Sequence, residues 1–243
     1  CSGNGIKVAG GKNFTVDFAG YTYTIDGTTV GSTGTETNGF QLLKDSTITF
    51  KNGTLTSDIA KILIQNYANL TLDNMTLDAG SADYALSTNN GSTVIRDTEI
   101  IAKNDGFAFD VCSFGDYSGN SVTVTGDSVI VGAIELSSYN DADEALALNS
   151  GDFSEAYLVM SDDGNKVDVT KTDDVTIAAP DGYKWEDNKL VAKSYVAAID
   201  DAEYETLADA FAAVQNGETI TLLTDCSGNG IKVAGGKNFT VDF

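Results

Sequence analysis

Three short apolar runs recur in a fixed order along the first 160 residues, and this recurrence restricts the fold more than any other feature of the chain. The first two form pairs: "FTVDFAGYTYT", "STITFKNGTLTS", "NLTLDNMTLDAG", "STVIRDTEIIA", "SVTVTGDSVIVG" and "ALALNSGDFSEA". In each, apolar and polar residues alternate on both sides of Gly, Asn or Asp, the pattern of two strands joined by a tight turn. Aligned on the last apolar residue before the turn, the anchors are Phe18, Phe50, Leu72, Ile95, Val124 and Leu148, spaced by 32, 22, 23, 29 and 24. A second apolar position follows each turn, at Tyr23, Leu55, Leu77, Ile100, Val129 and Phe153. The third run lies between successive pairs, as "GFQLL", "AKILIQ", "DYALST", "GFAFDV", "GAIELS" and "EAYLVM". Alternation with turns also fits a β-sandwich of short hairpins. The ordered return of all three runs favours an all-β, right-handed parallel β-helix, a three-faced β-solenoid in which each strand pairs with its counterpart one coil on, ~4.8 Å away. "QN" at 65–66 and "NN" at 89–90 then fall at one corner, where amides bond along the axis.

A longer repeat encloses these. CSGNGIKVAGGKNFTVDF occupies residues 1–18 and again, unchanged, 226–243. Chance does not produce an identical 18-mer, so the expectation is a window of period 225 in a tandem array, or a chain designed to overlap itself. With 42% hydrophobic residues, 25 Gly and one Pro, the composition is that of a folded chain, and a period is long enough for one sizeable core. Thirty-six acidic residues against 14 basic ones, net −22, repel phosphate and anionic lipid, which argues against a nucleic-acid partner. No apolar run is long enough to span a membrane. Cys1 and Cys226 are the same position one period apart; with Cys112 they give no CxxC and no disulfide framework.

After residue 160 the pattern changes. "PDGYKWEDNKLV" reads as a small hairpin with Trp185 and Tyr183 covering an apolar end, punctuated by Pro180. Beyond it stands the one helix: Thr206 as N-cap, Asp209 three residues later, Leu207, Phe211 and Val214 on one face, Gly217 ending it. Such a helix before a first coil plugs the open end of a solenoid, whose unpaired edges otherwise recruit other chains. The expected organisation is 1–160 as the coils of one module, 161–194 as terminal strands and hairpin, and 195–243 as strand, capping helix and first coil of the next copy.

The phrases "YETLADAFAAVQNGETITLL" leading into "KNFTVDFAGYTYT", "GSTGTETNGFQLLKDSTITFKNGTLTS", and "DGYKWEDNKLV" before "YVAAI" resemble right-handed β-helix modules, pectate-lyase-like in fold, in very large surface proteins of anaerobic Gram-positive gut bacteria. The resemblance implies that a module starts near Tyr195. It also implies an extracellular, cell-surface setting in which the work is structural or adhesive and the partners are neighbouring copies, head to tail, with host or microbial glycans or proteins as further partners.

Polysaccharide lyases and hydrolases share this fold, so a carbohydrate-active or glycan-binding domain is the competing expectation. The chain has no His, which removes the usual general base. Its single Arg, Arg96, has Asp97 and Glu99 beside it as ion-pair partners. Asp73, Asp97 and Asp127 follow the anchors in successive coils, as solvated turn residues of a stacked solenoid do. For metal, "NDADE" and "SDDGNKVD" offer oxygen ligands suited to calcium, with Asp141, Asp143, Glu144, Asp162 and Asp163 as candidates, though neither stretch matches an EF-hand. The expectation is a non-enzymatic module with no catalytic residues and no obligatory cofactor.

Overall fold

The computed structural model describes the whole chain apart from Phe114, Asp116, Ser118 and residues 140–142, and the chain forms two compact units, Cys1–Val191 and Ala192–Phe243.

The first unit is a parallel β-helix of stacked coils. On its first face lie Asn13–Asp17, 47–51, 69–73, Ser92–Arg96, Ser121–Thr125, Glu144–Leu148 and Val167–Lys171, each paired in parallel with the next. The second face stacks Ser2–Gly3, Thr22–Ile25, 54–57, 75–78, Glu99–Ile101, 129–131 and 152–155. The third stacks Ile6–Val8, 38–42, Ile62–Asn66, Tyr84–Thr88, Phe107–Ser113, 133–138 and 156–160. Alternating residues point inward from all three faces, and like positions stack into continuous apolar columns. One column runs Val16, Phe50, Leu72, Ile95, Val124, Leu148; another runs Phe40, Ile64, Leu86, Phe109.

Two expected anchors shift. Val16, not Phe18, is the register partner of Phe50. The first turn carries two extra residues, so Phe18 leaves the strand and sets its ring edge-on to Phe50, 5.8 Å between centroids at 89°. On the second face the buried column position is Ile130, which pairs with Ile100, while Val129 points away from the core.

The corner between the first two faces explains the spacing of Asn, Asp and Gly. Asn52, Asn74, Asp97 and Gly126 succeed one another there, at φ 58°, 54°, 49° and 70°. Only residues that tolerate left-handed backbone can make so sharp a bend. At Gly126 a Cβ would also run into the Asp97 carboxylate. The side chains of this corner form an axial ladder: Asn52 Nδ2 donates to Asp17 Oδ1 at 3.1 Å and Asn74 Nδ2 to Asn52 Oδ1 at 3.0 Å. The QN and NN amides behave differently. Gln65 lies opposite Ser87 and Asn66 opposite Thr88, so the two pairs are two residues out of register. Gln65 still reaches Asn89, 3.3 Å, and an axial series runs Asn38 to Gln65 to Asn89 to the Cys112 carbonyl.

The far end is closed by a hairpin of Tyr183–Glu186 and Lys189–Ala192, whose Lys189 lies antiparallel to Thr170 of the last first-face strand. Trp185 and Leu190 pack on the core, and Trp185 Nε1 donates to the Ile177 carbonyl at 2.9 Å. Leu190 takes the part expected of Tyr183.

The second unit is a small sheet with one helix, Leu207–Ala213. Ala197–Ile199 pairs antiparallel with Ala202–Tyr204 and with Thr219–Leu222, and Thr219–Leu222 pairs in parallel with Thr240–Asp242. Thr206 caps the helix: its Oγ1 accepts from Asp209 N at 3.1 Å and donates to Asp209 Oδ2 at 2.5 Å, which satisfies an orphan amide of the first turn. Ala210 and Val214 are fully buried, Leu207 and Phe211 pack beside them, and Gly217 turns the chain away at φ 88°.

Candidate functional site

Two features depart from plain solenoid packing: the entry end of the first coil, and a cluster of buried polar side chains on the third face.

At the entry end, Asn13–Asp17 is bonded along one edge only, to 47–51, among the described residues. Ile6, Phe14 and Tyr21 are exposed there, Tyr21 to 72%. Beneath them lies an open apolar cavity of about 550 Å³ lined by Ile6, Val16, Phe18, Tyr23, Phe40 and Phe50. The same residues one period later have a different neighbourhood. Lys237, Phe239, Thr240, Val241 and Asp242 are Lys12, Phe14, Thr15, Val16 and Asp17 over again. In the second unit Thr240, Val241 and Asp242 pair in parallel with Thr219, Ile220 and Thr221. Phe239 sets its ring edge-on to Phe211, 5.5 Å at 80°. Lys237 Nζ donates to the carbonyls of Phe211 and Ala212 at 3.3 Å and of Val214 at 2.9 Å. These are terminal carbonyls of the helix, where a cation is favoured. The Asn238 amide donates to Asn216 Oδ1 and its carbonyl accepts from Gly217 N. Of the residues expected to build the capping helix, Leu207, Asp209 and Phe211 lie within it, Thr206 precedes it, Val214 and Gly217 follow it, and Phe211, Val214 and Gly217 are the ones that meet the second copy of the repeat.

On the third face, Asp110 and Glu135 are register partners in adjacent coils, with Ser87 one coil before. Asp110 is buried, 5% exposed. Its Oδ2 accepts from Ser87 Oγ at 2.8 Å and its Oδ1 from Thr88 N at 2.5 Å. Burial outweighs these bonds and pushes its carboxyl up to about 8, with Glu135 and Glu144 adding to the rise. Glu135 accepts from Tyr84 OH at 2.8 Å and from Ser161 Oγ at 2.6 Å. Burial, then that carboxylate, drive the Tyr84 phenol far up. Cys112 is buried beside them, its thiol pushed up to about 12 by the same desolvation. Sequence reasoning overlooked this cluster. Its signal was present in the third run, where "GFAFDV" and "GAIELS" each place one acid among apolar residues, fifth in one and fourth in the other, and the register shift between Phe107 and Phe109 brings the two level.

The remaining candidates are dispersed. Arg96 lies on the first face and pairs with Asp73, 2.8 Å, one coil away, and not with Asp97 or Glu99. In a parallel stack the same-side neighbour belongs to the adjacent coil, whereas sequence neighbours point elsewhere. The register Asp17, Lys51, Asp73, Arg96 alternates in sign down this edge. Asp97 accepts from the Asp127 amide at 2.9 Å. Of the calcium candidates, Asp141 lies outside the described residues and Asp143 is exposed. Glu144 is a buried strand residue whose Oε1 accepts from Ser113 N at 2.6 Å, its carboxyl raised by burial. Asp162 accepts from Tyr139 OH and Asp163 pairs with Lys166. Among the described residues no three acidic, His or Cys side chains are grouped as metal ligands, and no helix is long and apolar enough to cross a membrane.

Comparison with protein-family models, with curated proteins and with solved structures gives no match for this chain.

Proposed function

We propose that the chain is a non-enzymatic structural module, one period of a stalk-like or adhesive tandem-repeat protein on a bacterial cell surface, whose neighbouring modules join head to tail. One observation carries the reading: eighteen identical residues include the entry strand of a solenoid in one place and the strand that completes a cap in the other. A segment with two such neighbours is suited to lie between them, cap on one side and next coil on the other. Each coil adds ~4.8 Å, so modules joined in this way make a stiff acidic rod. The extracellular setting and its glycan or protein ligands rest on the resemblance noted above and on the strongly acidic composition.

A carbohydrate-active or glycan-binding domain is the second reading, favoured by the aligned Asp110 and Glu135. It is the weaker one, because both oxygens of each carboxylate already accept hydrogen bonds, Asp110 is sealed from solvent, and Arg96 lies on another face. The test is a protein of two consecutive periods examined by small-angle scattering and electron microscopy. A continuous rod of about twice the single-period length is expected; two beads on a hinge, or calcium-dependent cleavage of an acidic polysaccharide, would overturn the proposal.

A further inference from the structure

Ser113, Asn120 and Glu144 meet where the third face turns into the first. Ser113 ends the third-face strand Phe107–Ser113, Asn120 precedes the first-face strand Ser121–Thr125 of the same coil, and Glu144 opens the first-face strand Glu144–Leu148 of the next. Two bonds join the coils here: Ser113 N donates to Glu144 Oε1 at 2.6 Å, and Ala145 N donates to the Asn120 carbonyl at 3.0 Å. All three side chains are sealed from solvent, at 0%, 0% and 2% exposed.

Among the described residues four buried side-chain oxygens lack a hydrogen-bond partner, and three of them fall at this corner: Ser113 Oγ, Asn120 Oδ1 and Glu144 Oε2. Buried polar atoms are costly unless something meets them, so such a grouping points to a ligand. The Asn120 amide cannot turn round to relieve it, because Nδ2 already donates to the Thr88 carbonyl at 2.7 Å and reaches Thr88 Oγ1 at 3.3 Å. Ser113 and Ser138 lower the Glu144 carboxyl, but burial prevails and neither places a hydrogen bond on Oε2. The neighbourhood is also acidic: Asp110 feels Glu135 and Glu144 as like charges, while Lys166, which acts on Glu144, is paired with Asp163 at the surface.

We propose that this corner binds a calcium-sized divalent cation through Glu144 Oε2, Asn120 Oδ1 and Ser113 Oγ. A carboxylate, an amide carbonyl and a hydroxyl are oxygen ligands of the kind such a cation takes. A proton on Glu144 would supply a single donor, whereas a cation draws on a lone pair of each oxygen at once and offsets the local negative charge. Three protein ligands are few for calcium, with water supplying the rest, so the affinity is that of a weak extracellular site, about 0.1–1 mM. The ligands come from two successive coils, and the bound ion ties one coil to the next. Of the calcium candidates read from the sequence only Glu144 takes part. The site lies within the solenoid, so it stands or falls separately from the assembly reading.

The test uses the full chain, freed of metal by chelator and dialysed, with calcium chloride as the probe at constant ionic strength and pH 7. Isothermal titration calorimetry should show one saturable site, and 10 mM calcium should raise the melting temperature by about 3–10 °C. Glu144→Gln keeps an acceptor for Ser113 N but removes the charge, and should bind at least tenfold more weakly and lose the shift. Glu99→Gln removes the same charge from an exposed position and should behave as the parent, which separates the site from the acidic surface at large. Ser113→Ala keeps the backbone bond to Glu144 and should weaken binding several-fold; it serves as the second variant if Glu144→Gln does not fold by circular dichroism. A parent with no saturable calcium response overturns the proposal, as does a response that Glu144→Gln and Ser113→Ala leave intact. A Glu144→Gln chain more stable than a calcium-indifferent parent would mean that a proton, not a cation, meets these oxygens.

Discussion

Asp110 is the residue through which pH should act on this solenoid. Its carboxyl ordinarily loses its proton near 3.8 but is pushed up to about 8 in the folded chain, chiefly because the third face buries it. The sign follows from linkage: between these values the folded state holds a proton that the unfolded state has released, so stability falls as pH rises. pH 7 lies about 3 units above the ordinary value at which the unfolded carboxyl titrates, which at 1.36 kcal/mol per unit amounts to about 4 kcal/mol lost relative to pH 4. For a unit of this size that is on the order of 10 °C in melting temperature. Asp110→Asn copies the protonated side chain: its carbonyl accepts from Thr88 N and its amide donates to Ser87 Oγ, the two partners the carboxyl now has. The variant should match the parent near pH 4, exceed it progressively up to pH 8, and lose most of the slope between. Thermal unfolding followed by circular dichroism at a series of pH values measures both chains, and their difference cancels the self-repulsion of the other acids. Asp17, Asp73 and Asp152, whose carboxyls are lowered by their hydrogen bonds, lose their contributions only below this window as pH falls. Parallel curves for the two chains would refute the argument, for they would mean that Asp110 is ionised at neutral pH despite its burial.

Phe50 is fully buried between Phe18 and Phe40, at 5.8 and 5.4 Å centroid to centroid. Phe50→Ala should cost about 3–5 kcal/mol, read as a lower urea midpoint with an unchanged slope. Arg96→Gln should leave that midpoint unmoved at high salt, because the Asp73 pair is half exposed and stands outside the core. Thr206→Ala removes the cap of the Leu207–Ala213 helix and should cost about 1 kcal/mol. Its mark is faster amide exchange in that helix, with exchange in the solenoid strands unchanged.

The solenoid was legible because its signal is periodic. A column such as Leu72, Ile95, Val124, Leu148 repeats one requirement at a nearly constant interval, and each coil restates it. Register was less legible wherever the interval changed. The two extra residues of the first turn moved Val16 into the place assigned to Phe18, and one extra residue in the turn after Val124 moved Ile130 into the place assigned to Val129. The corner ladder of Asn52 and Asn74 was written plainly, as Asn, Asn, Asp and Gly each two residues past a column position. It went unread because a turn residue is recognised by its backbone preference, while its bond to the next coil depends on stacking. The Asp110 cluster was hidden for a related reason. A single acid between apolar neighbours reads as the outward position of a strand, and the residues that surround it, Ser87 and Thr88 one coil before and Glu135 one coil after, are neighbours only once the coils are stacked.

The same stacking rule bears on how such a chain ends. In a solenoid each coil contacts only its neighbours, so stability is the sum of interfaces and any coil with one neighbour missing is the weakest place. The far end solves this with the antiparallel hairpin at Lys189, which pairs with the last strand in a geometry no further coil can continue. The other boundary is different in kind: Asn13–Asp17 pairs in parallel with 47–51, and its repeat at Thr240–Asp242 pairs in parallel with Thr219–Leu222. If the module reading proposed above holds, one copy of this strand has a partner on each side, and a junction between modules leaves no free strand edge for other chains.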